Sequence, residues 1–212
     1  MEVPRTPTPL GPEPTARAFL DAWGVVFGGT PPKSQAEWLL AFVWNENRRG
    51  EAFIQFNWGN LSTQNFNAPY WRPPWFRLEE IEAMAEPQRS RYLEIHERML
   101  AGEEPEAFRA FSDHAAGARA WLERLQTRFP EILEASLKNS AVAMQDAIFE
   151  SGYCASPLCK TNAARYAELR AEIQKLGLFS GLKFRRSSGG GFGLFLGTLA
   201  ALGLLWAART TR

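Results

Sequence analysis

The chain has 212 residues, of which 45% are hydrophobic, enough for one sizeable core, and this excludes a wholly disordered chain. The formal net charge of +1 is unevenly placed, because five cations lie beyond residue 182 while residues 1–182 hold 19 basic and 23 acidic residues. A general nucleic-acid-binding protein presents a basic body, so we expect no nucleic-acid partner.

Residues 1–14 are a proline-rich N-terminal segment that contains five prolines. This composition predicts an extended and poorly ordered lead-in, and the segment lacks the apolar run of a secretory signal. A first short helix is expected from Thr15 to Val26, shortly before a Gly-Gly pair. We assign residues 15–182 to one mainly α-helical domain that begins with this helix.

Ser34 and Glu37 have the spacing of a capping box and predict the start of a second helix. This helix should run to about Arg49, with Gly50 as its C-terminal stop. Residues 38–44 are seven consecutive apolar residues, so the helix would be hydrophobic on every side. Such a helix belongs in the middle of a domain.

Residues 51–76 lose the helical pattern and are dense in aromatic residues, which Asn, Ser, Thr, Gly and Pro separate. We expect a small loop or hairpin lobe here. Helical patterns resume from Leu78 to about Leu100, with an interruption near Pro87. Four more helices are predicted, most of them opened by a Ser or Thr in a capping position: 112–128, 130–137, 140–151 and 161–176.

Cys154 and Cys159 are the only cysteines, and they lie five residues apart in a predicted loop. With only two histidines in the chain they do not form a convincing zinc site, so we expect no metal and no cofactor. Free thiols are the favoured state, and a local disulfide is the alternative.

The tail changes character at residues 183–191, a basic and glycine-rich linker, and residues 189–208 contain no charge. At about 1.5 Å per residue, twenty residues of helix cross a hydrocarbon core of about 30 Å. We therefore expect Gly189 to Ala208 to anchor the chain in a lipid bilayer as one transmembrane helix; a buried core helix or a subunit-contact helix is the alternative. Glycines at every fourth position from Gly189 would let two such helices associate.

Glu46 ends the predicted second helix and shares a helical face with Leu39, Phe42 and Val43. Desolvation beside these apolar groups would raise the pKa of the carboxyl toward the range in which it donates a proton near neutrality. The alternative is a solvated residue of the last helical turn. Arg49 would oppose the shift if it turned inward, although a long arginine more often points to water.

Residues 45–60, NENRRGEAFIQFNWGN, resemble the signature of the lysozyme-like glucosaminidases and lytic transglycosylases. In that family a helix-ending Glu precedes an N-x-G-N turn, and the matching positions here are Glu46 and residues 57–60. Asn47 and Arg48 replace the family's small residue and first glycine. Two later stretches, 108–121 and 151–166, are similar to downstream motifs of the family in the same order, although the last carries Cys154 and a longer insert.

The resemblance implies a mainly α, lysozyme-like α+β fold in which Glu46 is the general acid that cleaves β-1,4 bonds between N-acetylated sugars of peptidoglycan glycan strands. By the same resemblance, Tyr153 should be a second catalytic residue, which directs its hydroxyl into the cleft near Glu46 and helps to position the bond or to stabilise the leaving sugar. Aromatic rings pack on the flat faces of sugars, and an asparagine amide could bind an N-acetyl group; filling the lobe's own core and holding the turn are the alternative roles. The expected substrate-binding residues are Trp58, Asn60, Tyr70, Trp71, Trp75 and Tyr166.

A two-carboxylate glycosidase needs a second acid about 5–9 Å from the first. Residues 52–78 contain no Asp or Glu, and Glu51, Glu80 and Asp113 are candidates without a distinctive context. This favours a single-acid route in which the substrate's own acetamido group or 6-hydroxyl is the internal nucleophile.

These observations predict a membrane-anchored peptidoglycan glycosidase. It would be carried in the internal membrane of a bacteriophage virion or, alternatively, by a cell as a tail-anchored enzyme. The rival interpretations are a catalytically inactive lysozyme-like protein that binds the wall and a purely structural virion membrane protein.

Overall fold

The computed structural model of the protein describes residues 1–47, 49, 53–63, 66–72, 77–103, 107–154 and 160–182. Within these ranges the chain is mainly helical, as predicted, with eight helices and two short strands. No helix in the described ranges is long and apolar enough to cross a bilayer. The predicted linker 183–191, the predicted transmembrane helix 189–208 and Trp75 lie outside the described residues.

The helices are, in chain order, α1 Pro12–Phe27, α2 Lys33–Glu46, α3 Leu78–Glu82, α4 Gln88–Leu100, α5 His114–Arg128, α6 Pro130–Leu137, α7 Ala141–Glu150 and α8 Ala163–Lys175. The break between α3 and α4 falls at the predicted interruption, and α6 has the predicted bounds. The helical caps of α5 and α7 are side chains: Asp113 accepts from the Ala116 amide, and Ser140 accepts from the Ala143 amide.

Helix α2 lies in the middle of the domain, packed against α8 and α6. Every residue from Gln35 to Trp44 is buried, which confirms that this helix is enclosed on all sides. Its apolar side chains join the main core with α1, α5 and α8. Fully burying one side chain of the Leu or Phe class is worth about 1.5–3 kcal/mol, so this run contributes much of the domain's stability.

The predicted capping box at the start of α2 is wrong. The N-cap is Pro32, which makes no side-chain cap bond, and the helix ends at Glu46 rather than near Arg49. Glu37, which is 2% exposed, instead pairs with Arg170 of α8 at 3.0 Å and accepts from Gln174 at 2.7 Å. A buried carboxylate needs such partners, and this requirement overrides the local capping pattern.

The aromatic-rich segment folds into a small lobe, as expected. Strand β1, Tyr70–Trp71, pairs antiparallel with β2, Phe108–Arg109. On the other edge of β2, the Arg109 amide donates to the Leu61 carbonyl and Thr63 donates to Ala107. We call this assembly of residues 53–63, 66–72 and 107–111 the lobe.

The proline-rich N-terminus runs along the lobe, which differs from the expected poorly ordered lead-in. Val3 donates to the carbonyl of Tyr70, Gln55 donates to that of Thr6, and Thr8 donates to that of Phe53. Helix α1 also begins earlier than predicted, at Pro12, where proline suits the first helical turn. The segment is ordered because the lobe supplies the backbone partners that proline-rich sequence cannot supply to itself.

Cys154, between α7 and α8, is disulfide-bonded, so the prediction of free thiols is wrong. It is partly buried and packs against the core. Sequence spacing alone left the two states open, since a five-residue separation suits either.

Candidate active site

Glu46 stands where the apolar run of α2 stops, at the last residue of the helix. Its side chain keeps some solvent exposure, yet burial raises the pKa of the carboxyl above its ordinary value. Hydrogen bonds from Asn60 and Asn45 oppose this shift without cancelling it. Protein atoms therefore surround most of the carboxyl, while water still reaches part of it.

The turn 57–60 lies against the end of α2. Asn57, 1% exposed, builds the turn by donating to the carbonyls of Leu61 and Arg109 and accepting from the Leu61 amide. Asn60 is exposed and adopts a left-handed backbone conformation with φ 47°, which asparagine tolerates better than most residues. Its Nδ2 atom donates to Oε2 of Glu46 at 3.3 Å. The sequence-predicted pair of Glu46 and Asn60 therefore meets in space.

Tyr153 follows α7 and is fixed to the same turn. Its hydroxyl donates to the Gly59 carbonyl at 2.8 Å and accepts from Nε1 of Trp121 at 3.1 Å. Burial, followed by the nearby charge of Glu46, raises the pKa of this hydroxyl far above its ordinary value. Tyr153 thus lies near Glu46 as expected, and its hydroxyl links the turn, to which it donates, with Trp121 of α5, from which it accepts.

Two glycines allow this close packing. A Cβ atom built on Gly59 would lie 2.2 Å from Cδ1 of Trp121 and 2.4 Å from the Tyr153 hydroxyl. One built on Gly117 of α5 would lie 1.8 Å from the carbonyl oxygen of Phe56. Real Cβ atoms do not approach so closely, so the turn, α5 and Tyr153 pack in this way only with glycine at both positions.

Tyr166 of α8 is 1% exposed and edges against Phe42 of α2. Burial, followed by the Glu46 charge, raises the pKa of its hydroxyl, and the side chain of Asn162 lies close enough to oppose the rise. Among the residues that the structure describes, no group meets hydrogen-bond geometry with this hydroxyl. Tyr166 is therefore buried near Glu46 and presents no open ring face to a sugar.

The aromatic residues expected to bind sugar mostly serve the core. Trp58 is 0% exposed and donates its Nε1 hydrogen to Nδ1 of His114 at 3.3 Å, so in this structure it fills the core, which was the alternative role. Trp71 is 5% exposed and stacks on Phe108, which excludes it as an open platform for the same reason. Tyr70 is half-buried, with the Arg72 guanidinium over its ring, and it is the one described ring of the predicted substrate-binding set that keeps appreciable exposed surface.

Other charged groups near the end of α2 point elsewhere. Arg49 pairs with Glu172 at 2.7 Å and with Glu168 at 3.7 Å, both on α8, rather than pointing freely to water.

Within the described residues no group of three or more His, Cys, Asp and Glu could hold a metal ion. A cleft of about 280 Å³ lies between α1 and the start of α5, lined in part by Asp21, Asp113 and Arg119, and Glu46 does not line it.

His114 is a site neighbour that the sequence analysis missed. It opens α5, accepts from Trp58, and packs edge-on against Phe53 and Phe56. Burial lowers the pKa of its imidazole, opposed by a backbone hydrogen bond with Thr8 and by the charge of Asp113. A lone histidine after an aspartate has no distinctive spacing, so nothing in the sequence marks it.

Comparison of the chain with protein-family models, with curated proteins and with solved structures finds no match. The case for a function therefore depends on the geometry around Glu46 and on the sequence motifs that meet there.

Proposed function

We propose that the protein is a peptidoglycan glycosidase of the lysozyme-like kind, with Glu46 as the general acid. The observation that carries the proposal is the state of this carboxyl: it ends a buried helix, its pKa is raised by burial, and it is held by Asn60. A raised pKa keeps the carboxyl protonated to higher pH than an exposed glutamate, and the protonated form is the state that general-acid catalysis requires.

The convergence of three distant segments supports the same proposal. The turn 57–60, Trp121 of α5 and Tyr153 meet through hydrogen bonds, and each belongs to one of the three stretches that resemble the family. Segments so far apart in sequence have no local reason to meet. Their contact near Glu46, the carboxyl that the sequence indicates as the general acid, supports a shared role in one active site.

In the proposed reaction, the Glu46 proton passes to the bridging oxygen of a β-1,4 bond as that bond breaks. Asn60, exposed beside the carboxyl, would bind the N-acetyl group or the bridging oxygen, and Tyr70 would pack on a sugar face. Tyr153 and Trp121 keep the turn rigid, so that Asn60 and Glu46 stay in register.

We further propose a single-acid route. Asp113 caps α5, with its pKa lowered by the Ala116 amide and Ser112, and Glu80 pairs with Arg77 at 3.5 Å. Both of these carboxylates are engaged in local structural roles, and Glu51, the third candidate, lies outside the described residues. The internal nucleophile would then be the acetamido group or the 6-hydroxyl of the substrate.

The remaining part of the proposal is attachment to a membrane through residues 189–208, with a bacteriophage virion membrane as the carrier. The chain would then open the host wall when the genome enters. A gene found only in chromosomes, outside any prophage, would contradict this carrier.

The test is wall clearing by the full chain in mild detergent, compared with Glu46→Gln. This substitution keeps the size of the side chain and its capacity to accept from Asn60, but it removes the transferable proton. We expect clearing by the native chain and a loss of about 10²-fold or more in the variant. Equal clearing by both, or none by either, would reject the enzymatic proposal; wall binding without clearing would instead favour the inactive wall-binding protein.

A further inference from the structure

Asn47 directly follows Glu46, and its side chain is 1% exposed. The Nδ2 atom of its amide donates to the carbonyl of Val43 at 3.1 Å and to the carbonyl of Trp58 at 2.7 Å. A carboxamide has two N–H donors, so both are used inside the protein. The first bond completes the end of α2, and the second ties that end to the turn 57–60.

Three consecutive residues of the turn are held from three directions. The Trp58 carbonyl accepts from Asn47, the Gly59 carbonyl accepts from Tyr153, and the Asn60 side chain donates to Glu46. The bonds from Asn47 to the Trp58 carbonyl and from Asn60 to the Glu46 carboxyl therefore close a ring between the end of α2 and the turn, which we call the circuit. Among the hydrogen bonds that the described residues form, loss of the Asn47 bond leaves one between the turn and α2, the bond from Asn60 to the carboxyl.

We propose that Asn47 is a positioning residue, whose carboxamide holds the turn 57–60 against the end of α2 and so keeps Asn60 in hydrogen-bond reach of the Glu46 carboxyl. The catalytic meaning of this role rests on the proposed function, while its effect on the carboxyl does not. Asn47 is also one of the two departures from the family pattern. Its place in the circuit gives this departure a role beside the acid.

Two variants of Asn47 distinguish loss of its bond to the Trp58 carbonyl from a general loss of structure. Asn47→Ala removes both donors. Asn47→Ser keeps one donor, which can reach the Val43 carbonyl four residues back but is too short to reach Trp58. The control is Gln35→Ala on the same helix, because Gln35 is also a buried carboxamide (3% exposed) that donates to a backbone carbonyl, that of Leu133 at 3.1 Å.

The measurement is the titration of the Glu46 carboxyl by ¹³C NMR in the full chain in detergent, with the resonance assigned by its absence from Glu46→Gln. We expect Asn47→Ser and Asn47→Ala to lower the pKa of Glu46 toward its ordinary value. A released turn loses the Asn60 bond, which holds the pKa of Glu46 down, but it also admits water to the carboxyl. Burial is the larger of these two causes, so the net shift of the pKa is downward. Gln35→Ala should lower the melting temperature without moving this titration.

Activity gives a second readout. A general acid works only while protonated, so a lower pKa should move the alkaline limb of the kcat/KM profile to lower pH, and kcat/KM should fall by about 10²-fold. An unmoved titration in both Asn47 variants, or an equal movement in Gln35→Ala, would overturn the proposal. If the native chain cleaves no wall, the proposed function fails while the titration still decides the role of Asn47.

Discussion

Substituting alanine for Gly59 tests whether the turn beside Glu46 packs as described. The added Cβ would lie 2.2 Å from Cδ1 of Trp121 and 2.4 Å from the Tyr153 hydroxyl, and the backbone of Gly59 is not in the left-handed region, so lack of space is the whole effect. Overpacking a well-filled interior costs about 1–3 kcal/mol. Displacing Tyr153 also breaks two hydrogen bonds of about 1 kcal/mol each, for a total of about 3–5 kcal/mol.

Unfolding of the full chain in mild detergent, followed by calorimetry, measures this loss. For a chain of this size about 2–4 °C of melting temperature corresponds to 1 kcal/mol, so we expect a decrease of about 6–20 °C. The matched control is Gly24→Ala inside α1, where the nearest atom to the new Cβ would be 3.8 Å away, an ordinary contact. This control should stabilise by up to about 1 kcal/mol. A Gly59→Ala variant as stable as the native chain would refute the described packing.

Two further predictions concern the charged interior. Burial raises the pKa of Glu46, so the folded chain retains a proton that the unfolded chain releases, and stability is lost as pH rises from the ordinary glutamate pKa through the folded one. Glu46→Gln should therefore melt higher than the native chain at pH 7 and match it below about pH 4 by calorimetry; a lower melting temperature at pH 7 would contradict this. Arg170→Ala leaves the buried Glu37 without its closest cation and should cost about 3–5 kcal/mol in urea unfolding. Adding Glu37→Gln to Arg170→Ala should recover much of that loss in the free energy of unfolding. If the losses of the two single variants simply add in the double variant, the pairing of Glu37 with Arg170 would be contradicted.

The sequence predicts most of the helices because their signals are local. The enclosed helix α2 follows from seven consecutive apolar residues, and the limits of α6 follow from Pro130 and its apolar spacing. The start of α2 is mispredicted because Ser34 and Glu37 match a capping pattern while their partner, Arg170, lies more than 130 residues away. The order of the N-terminus is missed for the same reason, since it depends on backbone partners in the lobe.

The site is partly predictable. Glu46 and Asn60 follow from a helix end and a turn motif, and the structure brings their side chains within hydrogen-bond distance. Trp58 and Trp71 could not be assigned correctly, because composition shows how many rings a segment holds and not which face each ring takes. The role of the Asn47 side chain is not predictable from sequence either, because a buried amide that bonds two carbonyls has the same sequence pattern as any polar residue after a helix.

The most direct test of the central claim is mass spectrometry of the fragments that the full chain releases from purified peptidoglycan. If Glu46 donates its proton to a bridging oxygen, the native chain should release glycan fragments that are cut at one type of β-1,4 bond. These fragments should have anhydro ends if the 6-hydroxyl is the nucleophile. Glu46→Gln should release none above background. Intact glycan strands after incubation with the native chain, or the same fragments from the variant, would contradict the account.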